Sequence, residues 1–158
     1  MEIKVKPLLA SVLGTLGVGA LSGFLSMGSM RDYALFEKPP LAPPAWLFPV
    51  VWSILYLLMG VSLYIVLTKP GVADDRRRAA VTVYLLQLAV NFIWPLIFFN
   101  LGAYLPAFLW LLLLIVLVIV MIYRFCGISK IAGLMNLPYL VWLCFAAYLN
   151  YAIWMMNR

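Results

Sequence analysis

The sequence predicts an all-α membrane protein: a bundle of five transmembrane helices forming a single domain over residues 1–158. Three observations predict it. Of the 158 residues, 67% are hydrophobic and 10% charged, against about 45–50% and about 25% in a soluble domain. A water-soluble monomer of this size cannot hide that much apolar surface. The apolar residues fall in five runs of about 20–26 residues, each long enough to cross a bilayer as a tilted helix. The runs also lack the alternation of barrel strands, and in lipid a helix satisfies its own backbone hydrogen bonds.

The elements follow in order. The first span covers about 8–30 and is closed by Arg31, Asp32, Glu37 and Lys38. Lys4 and Lys6 precede it as in a signal peptide, but the run exceeds the about 7–15 apolar residues of a signal core, so it is expected to stay in place. Residues 31–45 hold two proline pairs, Pro39-Pro40 and Pro43-Pro44. This density predicts an ordered, extended, non-helical loop, placed to lid a cavity between helices. The second span runs over about 46–68 and ends at Lys69-Pro70-Gly71. Asp74-Asp75-Arg76-Arg77-Arg78 makes a charged turn, its acids suited to a helix start. The third span follows over about 79–99, Asn100-Leu101-Gly102 is a tight connection, and the fourth covers about 104–123. The fifth covers about 131–156. No internal repeat is visible.

Orientation follows from the net charge of +6. One side of a five-span bundle carries Lys4, Lys6, Lys69, Arg76, Arg77, Arg78, Arg124 and Lys130; the other carries Arg31, Lys38 and Arg158. The positive-inside rule puts the N-terminus in the cytoplasm and the C-terminus and proline-rich loop outside a cytoplasmic membrane. The basic excess therefore reads as topology, with no nucleic acid as partner.

Histidine is absent, which removes His-dependent catalysis, His-ligated metals and a His ligand for haem iron. Cys126 and Cys144 are too few for a thiolate metal site and read as reduced, buried small hydrophobes, so no metal site is expected. All five acids (Glu2, Asp32, Glu37, Asp74, Asp75) fall in loops or ends, which speaks against a proton-coupled pump.

The membrane interior is instead aromatic. Trp52 and Tyr56 share a helix face at i, i+4; Gln87, Asn91 and Pro95 do so on the third span, with Trp94 and Phe98 beside them; Trp142, Ala146, Asn150 and Trp154 do so on the fifth. An amide in lipid is costly unless paired, so Asn91 is expected to face inward. Two readings stay open. These faces line a cavity for a large flat ligand, or the amides only hold helices together. On the first span Ser11, Thr15, Gly19 and Gly23 form a small-residue stripe, read either as packing within the bundle or as a homodimer contact.

Lys38-Pro39-Pro40-Leu41-Ala42-Pro43-Pro44-Ala45-Trp46, running on through Val51-Trp52-Ser53-Ile54-Leu55-Tyr56 to Gly60, resembles the TspO/translocator-protein family. The family is also called the tryptophan-rich sensory proteins or peripheral-type benzodiazepine receptors. Gln87 to Asn91 with Trp94-Pro95 and Phe98-Phe99, Pro138 to Trp142, and Ala146 to Trp154 resemble it too, in order along nearly the whole chain. The chain is identified as a bacterial member. The resemblance implies a five-helix bundle, often a homodimer, in a lipid membrane. It implies binding of porphyrins such as protoporphyrin IX and of benzodiazepine-type ligands. The ligand residues it implies are Tyr33, Trp52, Tyr56, Asn91, Trp142, Ala146 and Leu149, with Phe98 beside them. No cofactor is required; the porphyrin is ligand or substrate.

Two departures matter. Leu41 stands where the family often has Trp between the proline pairs. The sterol-recognition pattern needs a basic residue within five of its tyrosine, whereas Arg158 lies one position too far from Tyr151, leaving sterol binding by that route in doubt. In a porphyrin site Trp52 and Trp142 would pack against the macrocycle, and Arg31 and Lys38 would meet its propionates. If bound porphyrin is degraded in light, Trp52 and Trp142 are the catalytic candidates. A transporter or export facilitator of tetrapyrroles or lipids, and a ligand-responsive sensor or scaffold, are the alternatives.

Overall fold

In the computed structural model, which describes residues 2–158, each apolar run forms a helix and five helical stretches have the length and hydropathy to cross a membrane. They are α1 (Val5–Met30), α2 (Leu47–Thr68), α3 (Asp74–Pro95) continued by a π-helical turn (Leu96–Asn100), α4 (Tyr104–Cys126), and the pair α5 (Lys130–Leu134) and α6 (Leu137–Met156). The chain is an all-α, five-helix, multi-pass membrane protein.

Helix α3 begins at Asp74, so the charged stretch before residue 79 starts the helix, as its acids suggest, and two other local features differ from expectation. Asp74 and Asp75 meet the positive end of the helix dipole, while Arg77 reaches back to the carbonyls of Leu67 and Lys69, the latter at 2.8 Å, and satisfies the end of α2. The loop after α1 is not wholly extended: Arg31–Leu35 is a 3-10 helix, and extended backbone begins at Phe36. The fifth span is broken rather than continuous. Pro138 near the start of α6 has no N–H to continue a ladder from α5. Asn136 occupies the break, donating from Nδ2 to Ala132 O and Ser62 Oγ, each at 3.0 Å.

Pro95 acts on α3 in a related way. Without its N–H the helix widens, and the bond from Leu101 N to Leu96 O (3.1 Å) spans five residues. That extra residue per turn delivers Phe98 to the interior, where it is buried. Ser22 Oγ donates to Phe92 O at 2.8 Å beside the same turn. Gly71 (φ 73°) and Gly102 (φ 59°) close the α2–α3 and α3–α4 connections in left-handed backbone that side chains resist.

The helices form a ring in the order α2, α1, α3, α4, α6, with α5 joining α4 to α2. Helix α4 buries Ala107, Leu111, Leu114, Val118, Met121 and Phe125, and this 4-3-4-3-4 spacing is the heptad seam of left-handed helix packing. Helices α1 and α2 approach backbone to backbone at Gly60, where a Cβ would lie 2.7 Å from Val12 Cα. The last pair in the ring differs. Among the described residues α2 and α6 make almost no close backbone approach, and side chains alone bridge them.

Candidate functional site

Four polar side chains of the interior, Tyr56, Asn91, Tyr139 and Gln87, form one connected network. Tyr56 Oη donates to Asn91 Oδ1 (3.2 Å), Asn91 Nδ2 to Tyr139 Oη (2.6 Å), and Tyr139 Oη to Gln87 Oε1 (2.8 Å). Gln87 and Asn91 are buried with it. Thr15 donates its own hydroxyl proton to Ser11 O, so Tyr84 is the donor in the Thr15–Tyr84 contact. Asn150 forms a second link, accepting from Trp94 Nε1 at 3.1 Å and donating to Tyr104 O at 2.8 Å. The amides of Asn91 and Asn150 thus hold helices together, as polar groups in lipid must.

Aromatic rings surround this network. Trp52 stacks on Tyr56 at 5.5 Å between centroids and meets Tyr139 edge-on at 6.1 Å. Gly19 makes room for the Tyr56 ring, which a Cβ there would strike. Phe98 stacks on Trp94 at 5.3 Å and packs against Phe36 and Tyr104. Phe48 touches Tyr33 at 5.4 Å on one side and Trp142 at 5.9 Å on the other.

The loop over this end is tied down. Tyr33 is buried and its hydroxyl donates to Pro43 O at 3.3 Å. Lys38 Nζ donates to Tyr33 O at 2.8 Å and lies 4.6 Å from the centroid of the Tyr33 ring. Asn157 pairs with the backbone of Glu37 in both directions, accepting at 3.2 Å and donating at 3.0 Å. The C-terminus therefore fastens the loop.

Two concavities result. Beneath the loop lies a cavity of about 30 Å³ lined by Tyr33, Phe48, Trp94, Phe98, Phe99, Ala146, Leu149, Asn150 and Ile153. Between α2 and α6 lies an open groove of about 760 Å³, lined by Val51, Ile54, Leu55, Leu137, Pro138, Val141, Trp142 and Phe145. Drug-sized ligands occupy about 300–1,000 Å³, so of these two the groove has that size. Trp142 Nε1 is buried without a hydrogen-bond partner among the described residues.

The TspO/MBR family profile matches residues 11–155. The chain belongs to the TspO/MBR family. The tryptophan-rich protein TspO of Archaeoglobus fulgidus is 37% identical over 156 residues, spanning 98% of this chain and 99% of that protein. Protein CrtK of Rhodobacter capsulatus is 36% identical over 141 residues, 88% and 85% of the two chains. The human translocator protein is 34% identical over 144 residues, 91% and 85% of the two chains.

In this TspO/MBR member the eight expected ligand residues fall into three neighbouring groups. Tyr33, Phe98, Ala146 and Leu149 line the cavity together. Trp142 lines the groove. Tyr56 and Asn91 lie in the polar network, and Trp52 packs on that network from outside both concavities. Arg31 is exposed, and Lys38 is engaged with Tyr33. Phe48 and Ile153 went unnoticed in the sequence. Ile153 continues the spacing Tyr139, Trp142, Ala146, Leu149, Ile153, a heptad-like signal hidden by following every fourth residue to Trp154. Phe48, in the first turn of α2, stands four residues before Trp52, so extending the Trp52–Tyr56 face by one step toward the helix start reaches it.

Proposed function

We propose that this TspO/MBR protein is a membrane receptor for tetrapyrroles, with protoporphyrin IX as the probe ligand and flat benzodiazepine-type molecules as competitors. The observation that carries the reading is the convergence of Tyr33, Phe98, Ala146 and Leu149, from three separate elements, on one ring-walled cavity under a fastened loop. A macrocycle far exceeds about 30 Å³, so binding moves the loop or the rings. Offset or edge contacts with Trp142, Phe48 and Phe98 then contribute about 0.5–1.5 kcal/mol per ring pair beyond burial. Arg31, and Lys38 once freed from Tyr33, supply cations for the propionates. The N-terminus is cytoplasmic and the loop side external, and the protein works as a homodimer in the cytoplasmic membrane.

A titration with protoporphyrin IX, read by quenching of tryptophan fluorescence, tests this. The expected outcome is saturable binding that weakens by about tenfold or more in a Trp142→Ala, Phe98→Ala double variant, since two lost ring contacts of about 1 kcal/mol each exceed one decade. Equal affinity in that variant would remove the site.

A second reading is catalytic, and the half-buried indoles of Trp52 and Trp142 favour it. Illuminated porphyrin passes excitation to oxygen, and adjacent indoles are then the oxidisable groups. One defined product, lost in Trp→Phe variants, supports catalysis; equal bleaching in every variant leaves a receptor. Transport across the bundle has no carboxylate in the middle of any span to couple it to ions.

A further inference from the structure

Four of the five neighbouring pairs in the helix ring are closed along their backbones: α2 with α1, α1 with α3, α3 with α4, and α4 with α6. The fifth, α2 with α6, is held apart at the level of the groove and is bridged by rings. The groove exposes essentially no polar surface. Val141 and Ile54, on its opposite walls, are 68% and 54% exposed to what surrounds the bundle, which in this protein is lipid.

A ring-to-ring contact lies between the groove and the inner cavity. Phe48 lines the cavity, Trp142 lines the groove, and their rings meet edge to face at 5.9 Å. Closure at this contact leaves the indole Nε1 of Trp142 buried and unpaired. A buried unpaired donor makes the closed arrangement less favourable than its packing alone suggests. It also presents a hydrogen bond to any guest acceptor that arrives when the rings part. The opposite approach, through the loop, is blocked by paired contacts: Tyr33 to Pro43, Lys38 to Tyr33, and the two-way pairing of Asn157 with Glu37.

We propose that the α2/α6 groove is a lateral portal through which a flat apolar molecule dissolved in the bilayer reaches the inner cavity, with the Phe48–Trp142 pair as its gate. The proposal rests on the receptor reading above and adds the route and the physical state of the ligand: it comes from lipid, apolar face first, and not from water through the loop. Swinging the two rings apart opens the groove of about 760 Å³ into the cavity, which gives a ligand a way in without parting Asn157 from Glu37.

The test uses the full chain in lipid nanodiscs and protoporphyrin IX delivered from vesicles, with the association and dissociation rates read from porphyrin fluorescence. Val141→Trp fills the groove from a lipid-facing position; Ile54→Trp does so from the other wall if the first variant fails to fold. Asn157→Ala unfastens the loop and leaves the groove unchanged. The expected result is that either groove variant slows association and dissociation together by about tenfold, with Kd nearly unchanged, as for a blocked route to an intact site. Asn157→Ala leaves both rates as in the wild type. Unchanged rates in both groove variants, or acceleration by Asn157→Ala alone, would overturn the portal while leaving the receptor standing. Absence of porphyrin binding to the wild type would overturn the receptor reading and the portal with it.

Discussion

Asn91 shows how a single side chain is used in this membrane protein. Its carboxamide accepts from Tyr56 and donates to Tyr139, and Tyr139 passes its own proton to Gln87. These groups are buried, so each depends on the next. Tyr139→Phe deletes two bonds at once and strands the Asn91 donor and the Gln87 acceptor. A stabilising hydrogen bond between membrane helices is worth about 0.6–2 kcal/mol, so the variant is expected to lose about 1–3 kcal/mol in all. Thermal unfolding in detergent micelles measures it; a melting point equal to the wild type's would mean the network is idle. That Asn91 faces inward was legible in the sequence from the cost of an amide in lipid. Its partner Tyr139 was not, because nothing local says which of nine tyrosines stands opposite. Gly19 is similar: the stripe marked it as a packing position, but only the fold shows that it makes room for the Tyr56 ring.

At the scale of elements, the number and order of the helices were readable from the apolar runs, while their faces were read with a drift. Following every fourth residue turns 40° away from a straight face at each step of a 3.6-residue helix. On α1 the stripe Ser11, Thr15, Gly19 and Gly23 begins inside the bundle and ends in open space at Gly23. The residues α1 buries are Ser11, Thr15, Ser22 and Ser26, on a 4-7-4 spacing. The same drift separates Ile153, which lines the cavity, from Trp154, whose ring lies tilted against Tyr151 and beneath the Arg158 guanidinium. Helix ends were harder, because caps come from other elements. Arg77 of α3 satisfies the carbonyls at the end of α2, though its charge alone reads as topology. Arg77→Ala is expected to lower stability by about 1.5–3 kcal/mol, as for loss of a charged hydrogen bond. Arg77→Lys should recover only part of it, since a single ammonium does not reproduce the guanidinium fork. Urea titration followed by circular dichroism gives both values; an Ala variant as stable as the wild type would show that the cap contributes nothing.

For the whole molecule, the two ends of the bundle are chemically distinct. Lys4 donates its backbone N–H to Tyr64 near the end of α2, and Arg76 stands beside Gly127, so the N-terminus, the α2–α3 turn and the α4–α5 turn share one basic end. The loop and the C-terminus share the other through Asn157. If the basic end faces the cytoplasm, a reporter active only outside works when fused after Arg158 and fails when fused before Glu2. Neutralising Arg76, Arg78, Arg124 and Lys130 is expected to give mixed orientation, and Arg77 is left in place because it caps α2. Reporter activity at the N-terminus of the unmodified chain would reverse the assignment. The sequence by itself determined that the chain lives in lipid, that it crosses five times and which residues stay out of the hydrocarbon, because the length and polarity of each segment are local properties weighed against a uniform slab. It also carried enough spaced aromatic and proline motifs to resemble the family that the comparisons then showed. Only the tertiary structure decided that α2 and α6 stand apart, that Phe48 and Trp142 close the gap, and that the eight expected residues divide among a cavity, a groove and a hydrogen-bond network. Those facts depend on which face of one helix meets which face of another, and in a bilayer that choice comes from close packing and polar pairing between distant segments, since lipid is as apolar as the helices themselves.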